Sequence, residues 1–367
     1  MPFPRPLSSS VLHRAALGML VVAASALVLA GPVRAQELSL DTVPPDTLRP
    51  DTLLIGRWYP EADAGVTLTQ SAYSNNWNGG DRGSVVWASI VNAALQHRFN
   101  DWMAWSNTVV LAYGQTAQQR KNDAGQLVWQ SPTKSTDRID IESVMRFPFG
   151  GWASPYASAR LQSQFLDASD PAGRTLNFQP MIITQSAGVA RQFFNTDTRS
   201  LLVRLGFTLR ENRRAVFVNP APDQTTITRT GLDAGTQLLA NYNAGILRQK
   251  VTWNAKLSVY KPFFYSGNKV FDKLSAAQLV AAGVDPKVRN YTTATDIDWE
   301  NIFTTQITKL LSVNMYVRWI YDKYDNSVKP ALDSAGGLTD PAGVQAAIRK
   351  AGQFKQTLAL GLTYRFF

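Results

Sequence analysis

The sequence predicts an all-β fold: a closed antiparallel transmembrane β-barrel of about 12 strands, with short periplasmic turns and long outer loops. Three observations predict it. Apolar and polar residues alternate with period two over stretches of 9–16 residues, longer than the five or six usual in a globular sheet and suited to a membrane strand of about 9–11. The connections between these stretches are alternately tight and long. The chain opens on a secretory signal and contains no cysteine, so no lipid anchor, disulfide scaffold or thiolate metal site is built into it.

Residues 1–35 read as a signal peptide. Arg5, His13 and Arg14 make a basic start, Ala15 to Ala30 is uncharged and apolar, and Val33-Arg34-Ala35 supplies small residues where a signal peptidase cuts, before Gln36. Residues 36–62 are expected to be a flexible periplasmic leader. The Asp-Thr repeats at 41–42, 46–47 and 51–52, spaced by Pro44, Pro45 and Pro50, oppose helix and sheet. The barrel is expected over 63–367.

Twelve strands are predicted near 65–74, 84–97, 102–115, 136–147, 155–166, 181–193, 200–211, 232–247, 250–264, 294–309, 311–323 and 353–367. In the ninth, Val251, Trp253, Ala255, Leu257 and Val259 share one face while Thr252, Asn254, Lys256, Ser258 and Tyr260 share the other. Tight connections fall at 99–101, 148–152, 194–197, 248–249 and 310. Long ones fall at 75–83, 116–135, 167–180, 212–231, 265–293 and 324–352. Outer-membrane barrels sort their loops in this way, and a β-sandwich has no reason to. An even strand count returns both ends of the barrel to the periplasmic side, where the leader lies.

Aromatic residues gather where two membrane interfaces would be. His97, Phe99, Trp102, Phe147, Phe149, Trp152, Phe193, Tyr364 and Phe366 sit by the tight turns. Tyr113, Phe165, Phe207, Phe263, Phe264, Tyr265, Trp299, Trp319 and Tyr321 sit by the long loops. Two short helices are expected in those loops, at Leu274 to Ala282 and Gly343 to Ala351, either of which is able to fold over the mouth.

Residues 65–168 carry a recognisable string: Gly65 to Ser71, then Ser74-Asn75-Asn76-Trp77-Asn78-Gly79-Gly80, Trp105-Ser106-Asn107, Tyr113-Gly114, Arg120-Lys121-Asn122-Asp123, Thr136 to Asp140, and Leu161 to Phe165. Weaker echoes follow at Asp296 to Glu300, Ile320-Tyr321-Asp322 and Gln353 to Gln356. The pattern resembles the bacterial domain-of-unknown-function family 3078, and the resemblance implies an outer-membrane barrel with no settled activity. An insertion from Gly125 to Ser135, and Ser163-Gln164 in place of Thr-Gln, depart from it. In the family motif, Gly79 and Gly80 suit a turn with positive φ, Asn76 suits hydrogen bonding to that turn, and Trp77 suits an interfacial anchor. The closing Tyr364-Arg365-Phe366-Phe367 resembles the signal read by barrel-assembly machinery, which is the expected partner through the C-terminal strand.

After signal removal 34 basic residues face 27 acidic ones, a formal +7. Basic loop clusters at Arg120-Lys121 and Arg210 to Arg214 suit the phosphates of lipopolysaccharide, so outer-membrane lipid and lipopolysaccharide are the expected partners and nucleic acid is not. His97 is the one histidine of the mature chain. A lipid-acting enzyme would have to work through it, yet it falls at the tight-turn end on the lipid face. No catalytic residue, metal site or cofactor is assigned.

The inward face carries the candidate site: Asp296, Asp298, Glu300, Arg210, Arg318, Lys355, Arg138, Asp140 and Glu142. Carboxylates on one side and cations on the other are expected to set a transverse field that orients small solutes. Asp296, Asp298 and Glu300, at two-residue spacing, also suit Ca²⁺, with ion pairing preferred. A wall radius of roughly 12 Å for twelve strands leaves a thin channel or a closed lumen. The function expected is a narrow passive channel for small polar or charged solutes in the bacterial outer membrane. A structural or adhesive barrel with a plugged lumen is the alternative, and a lipid-modifying barrel enzyme a lesser one.

Overall fold

The computed structural model describes residues 53–71, 82–170, 172–308 and 310–365. The signal peptide, all of the leader but its end, the motif residues Asn76, Trp77, Gly79 and Gly80, and the terminal Phe366 and Phe367 lie outside them.

Twelve antiparallel strands form the barrel: β1 Trp58–Ser71, β2 Ser84–Asn100, β3 Met103–Lys121, β4 Thr133–Arg146, β5 Ser154–Ser163, β6 Met181–Asn195, β7 Arg199–Phe217, β8 Thr226–Ile246, β9 Val251–Tyr265, β10 Asp296–Gln306, β11 Leu311–Tyr321 and β12 Gln353–Arg365. Each pairs with its neighbour in sequence, and β1 pairs with β12 to close the ring. The closing seam is short, running from Asp63↔Arg365 to Val66↔Leu362, whereas β7 and β8 are in register from Arg199↔Ala244 to Phe217↔Thr226.

The predicted alternation places the faces correctly. Leu205 and Phe207 point out and are exposed, while Arg204 and Thr208 on either side of them point in and are buried. Side chains of a strand alternate across the sheet, so an apolar row outside implies a polar row inside. Several bounds differ from the sequence reading. β1 starts at Trp58, because Trp58 to Ala62 pair with His97 to Ala93 of β2. β7 and β8 continue as a hairpin beyond the predicted ends, leaving only 218–225 as loop. Leu127–Trp129 folds back onto Gln119–Lys121 inside the expected 116–135 loop.

The rings form the two expected groups. Trp58, His97, Phe99 and Trp105 stack together near the tight turns, and Trp102, Phe149 and Phe147 form a second stack beside them. Trp87, Tyr113 and Phe165 meet near the long loops. Tyr265 is a correction: it is 1 % exposed and belongs to no outer belt.

Tyr265 belongs instead to a cap. The two longest loops fold together through α1 Asn268–Phe271, α2 Ala276–Ala281, α3 Val288–Tyr291 and α4 Pro341–Ala346. Ser275 and Gln278 make a capping box at the start of α2. Asp340 caps α4, with Pro341 in its first turn, where a missing N–H costs nothing. Helices this short are not stable alone. Tyr265, Phe271, Leu274, Leu279, Val284, Val288, Tyr324, Leu338, Val344 and Ala347 supply a shared buried core. Lys350 to Asp285 at 2.7 Å and the Asp285 N–H to Gln345 Oε1 at 2.9 Å join the two loops. Lys329 Nζ donates to the Thr230 carbonyl of β8 at 2.5 Å and anchors them to the barrel.

Inside, the tight-turn end is packed. Val144, Tyr156, Ala190 and Leu202 form a buried inward cluster beside Arg146. Val86, Ile90, Val110 and Ala112 of β2 and β3 pack against Ala359 of β12. Part of the inner wall is therefore apolar, which the sequence reading of a charged lumen did not anticipate.

Candidate functional site

A cavity of about 580 Å³ occupies the upper half of the lumen, between the packed lower end and the cap. β4 to β12 supply its wall, and Asp322, Asp325 and Arg349 of the cap supply its roof. The nine predicted site residues converge on it. Eight line it directly, and Asp140 lies behind, bridged by the Arg160 guanidinium at 2.7 Å and by Arg138 at 2.8 Å.

Local strand geometry explains the convergence. Lys256, Glu300, Arg318 and Lys355 are successive partners across β9, β10, β11 and β12, so one row carries four charged side chains inward. Arg318 takes Asp298 in a two-point contact, with both N–O distances 2.8 Å, and reaches Glu300 at 3.3 Å. Tyr316 Oη donates to Glu300 at 3.1 Å, and Arg138 approaches the same carboxylate at 3.6 Å. Arg204 and Glu142 pair at 2.8 Å. A planar guanidinium fork fits a carboxylate in two-point fashion, so arginine suits these half-buried positions better than lysine.

Near the mouth Arg210 meets Asp233 at 2.9 Å and Asp296 at 3.4 Å. Asp233 is fully buried and also accepts from Tyr260 Oη at 2.7 Å and Asn212 Nδ2 at 3.1 Å. In the roof, Arg349 spans Asp322 at 3.1 Å and Asp325 at 2.8 Å. Asp137 at the rim pairs with Lys134 at 3.1 Å and accepts the N–H groups of Phe165 and Leu166.

These pairings correct two expectations. Carboxylates and cations are not on opposite sides of the lumen; each lining carboxylate among the described residues has a cationic partner within 4 Å. The residual imbalance runs along the axis. Asp233, Asp296, Asp322 and Asp325 outnumber Arg210 and Arg349 in the upper layer. Below, Arg138, Arg160, Arg204, Arg318, Lys256 and Lys355 outnumber Asp140, Glu142, Asp298 and Glu300. Asp296, Asp298 and Glu300 each answer to an arginine, so they do not converge as one cation site.

Lys256, Asp233, Tyr260, Arg160, Arg204 and Arg349 belong to the chamber and were not among the predicted site residues. All but Arg349 lie on inward faces that the alternation identifies. Arg349 lies in a loop, where period two has no meaning.

His97 sits where the sequence placed it, at the tight-turn end on the outer face. Its ring stacks on Trp58 with centroids 4.1 Å apart, meets Phe99 at 4.5 Å, and places Nδ1 3.1 Å from the Arg57 carbonyl. Of the basic loop clusters, Arg120 and Lys121 are exposed, Arg213 pairs with Glu211 at 3.0 Å and Arg214 with Asp167 at 3.5 Å. Arg210 is a correction to that outer cluster, since it points into the chamber.

Outside the barrel wall, Arg174 ties two outer loops together. It holds Asp170 at 2.9 Å, donates to the carbonyls of Asn219 and Asp223, and lies 3.9 Å over the Phe217 ring. Hydrogen bonds from Thr225, then Asn219, hold the Asp223 carboxyl down at about 2. Lys350, followed by the Lys287 N–H, likewise holds Asp285 below the usual carboxylate range.

A closed twelve-stranded antiparallel barrel with a capped, charged chamber is thus the class that fold and site define. Residues 68–168 match the family described as "Protein of unknown function (DUF3078)". No curated protein matches the chain. Solved structures similar to it include the β-domain of the Bordetella autotransporter BrkA (10% identity, 84% of this chain and 98% of that one, TM-score 0.32). An outer membrane channel from Pseudomonas putida F1 is another (11%, 85% and 96%, TM-score 0.36). A third is the translocator domain of the autotransporter NalP from Neisseria meningitidis (10%, 86% and 90%, TM-score 0.36).

Proposed function

We propose that this protein is a bacterial outer-membrane β-barrel that admits small polar or charged solutes through a narrow passive route, and that the capped arrangement is its closed state. The observation that carries this reading is the charged chamber of about 580 Å³ beneath the cap, within the size range of small-molecule sites. An apolar outer wall, two ring belts and alternating loop lengths support the membrane placement. Signal-peptide cleavage near Ala35, assembly through the C-terminal strand, and contact of Arg120 and Lys121 with lipopolysaccharide phosphates belong to the same proposal.

Planar-bilayer conductance of purified protein tests it. Discrete currents are expected, more frequent once the cap is loosened, and replacing Asp296 and Asp298 by Asn and Glu300 by Gln shifts selectivity towards anions. Silence of wild type and of a cap-loosened variant, across voltage and salt, overturns the channel. The packed cluster of Val144, Tyr156, Ala190 and Leu202 favours the second reading, a plugged barrel that acts through its loops. Loss of surface binding on loop deletion, with the barrel intact, supports that second reading. The lesser enzyme reading predicts phospholipid or lipid A turnover that Asp or Ser neighbours share with His97. Unchanged activity of His97→Ala removes the histidine from it.

A further inference from the structure

Lys256 stands apart from the other charges of the chamber. It lines the cavity and is only partly exposed, yet among the described residues no hydrogen bond or ion pair engages its ammonium. Its neighbours explain why. The carboxylates of Asp140, Glu142 and Glu300 are in electrostatic range, but each is already held by arginine at closer distance. A charge in a restricted, partly dehydrated space is costly unless it is paired. A ligand carboxylate there would supply the missing partner.

The opposite end of the chamber has the opposite surplus. Asp296, Asp322 and Asp325 face the cavity with only Arg210 and Arg349 among them, and Arg210 also serves Asp233. An ammonium at that end would relieve the excess of carboxylates. Asp296 lies four residues above Glu300 on β10, and Glu300 is the row partner of Lys256. Four residues of strand cover roughly 14 Å. An extended chain of three residues spans about 10 Å, and a charged contact of about 2.8 Å at each end brings its reach to about 15 Å. Between the two ends the wall offers hydrogen-bonding groups, Thr184, Ser186, Thr208, Gln237 and Ser258, and on β10 the Asp298 carboxylate, already neutralised by Arg318 at 2.8 Å.

We propose that the chamber binds zwitterionic solutes of tripeptide size, with the ammonium end under the cap at Asp296 and the carboxylate end on Lys256. This rests on reading the chamber as a solute site, and it names the class of solute.

Calorimetric titration of the purified full-length barrel in detergent tests the proposal without requiring transport. The probes are trialanine, N-acetyl-trialanine, trialanine amide and glucose. Trialanine is expected to bind at least tenfold more tightly than either blocked form, and glucose not to bind. Lys256→Gln should abolish the preference over the amide and leave the preference over the acetylated form. Asp296→Asn should do the reverse. Lys256→Arg should restore binding to within about threefold, which separates loss of the charge from loss of the fold. Equal binding of the blocked peptides overturns the proposal, as does unchanged selectivity in both variants. Absence of trialanine binding in wild type and in the cap-loosened Asp285→Asn barrel overturns it too. Binding with electrically silent bilayers would retain the site and reject the channel.

Discussion

Lys350, in the loop that follows α4, holds the Asp285 carboxylate at 2.7 Å and so joins the last outer loop to the one before it. That contact adds an ionic latch to the core the two loops share over one chamber, and its sensitivity to pH has a definite sign. Hydrogen bonding to Lys350 depresses the Asp285 carboxyl and raises the Lys350 ammonium. A depressed carboxyl contributes stability above its unfolded value and loses it as pH falls through the folded one. A raised ammonium contributes below its unfolded value and loses it as pH rises through the folded one. The latch is therefore intact from mildly acidic pH to the ordinary lysine range. It opens below the usual carboxylate range and above the usual lysine range. Amide hydrogen exchange over 266–295 should accelerate at both extremes. Asp285→Asn should exchange several-fold faster at neutral pH and lose the acid limb. A cap whose protection from exchange does not fall as pH drops below the usual carboxylate range has no such latch.

The core of the cap makes a second expectation. Phe271 is completely buried among Tyr324 and the other cap side chains. Core Phe→Ala changes cost about 3–5 kcal/mol, more than four helices of four to six residues can sustain. Phe271→Ala is expected to release the cap while the barrel still migrates as a folded species in semi-native electrophoresis. Loss of the folded band together with the cap would show that the two are one cooperative unit.

The barrel was legible because its physics is local. A strand with one face in lipid and the other in a lumen must alternate, so Leu205, Phe207, Arg204 and Thr208 declare their sides without any tertiary information. The cap was not legible because its core is drawn from loops. Phe271, Leu279, Tyr324 and Val344 share no period and meet only when two segments about 50 residues apart in sequence fold together. The site was legible in membership and not in pairing. Alternation turns Asp296, Asp298, Glu300 and Lys256 inward, but strand register decides that arginines reach the carboxylates and leave Lys256 over. A transverse field follows from residue identities alone, whereas the axial one depends on which charges cancel.

Glu300 accepts from Tyr316 and lies between Arg318 and Arg138. Its replacement by Gln does not orphan either guanidinium, because Arg318 keeps Asp298 and Arg138 keeps Asp140. The expected loss is accordingly about 1.5–3 kcal/mol, the scale of a charged hydrogen bond, and not the 3–5 kcal/mol or so of a stranded buried charge. Urea unfolding in detergent should show the smaller loss for Glu300→Gln. A loss of about 3–5 kcal/mol would instead mean that the shared pairing at Glu300 carries no redundancy.

Tyr156 reaches across two strands, with its hydroxyl 2.9 Å from Ser186 Oγ. It faces Gly188, which pairs in turn with Gly206. A Cβ on Gly206 would lie 2.5 Å from the Tyr156 hydroxyl and 2.6 Å from the Ala187 carbonyl, so a methyl there meets backbone as well as a side chain. Gly206→Ala should destabilise the barrel by about 1–3 kcal/mol, the usual cost of overpacking. Removing the ring in a Tyr156→Ala, Gly206→Ala double variant should not recover it, because the carbonyl contact persists. Full recovery in the urea midpoint would assign the clash to the ring alone.

Closure of the barrel is itself testable, because the chain contains no cysteine and any disulfide reports only the pair introduced. Val66 and Leu362 are partners at the upper limit of the pairing between β1 and β12. Directly opposed residues of an antiparallel pair have Cα atoms about 4.5–5.5 Å apart, inside the range of about 4.4–6.8 Å that a disulfide tolerates. Val66→Cys with Leu362→Cys should therefore crosslink within minutes under mild oxidation and shift the denatured band on a gel. Leu68 and Leu360 lie just above the last paired residues of the seam, where no partner across it is found among the described residues. The same cysteine exchange there should crosslink more slowly and should accelerate if the seam zips further in a lipid bilayer. Failure of both pairs to crosslink would place the closure in a different register and move every inward residue of β12, Lys355 included, relative to β1.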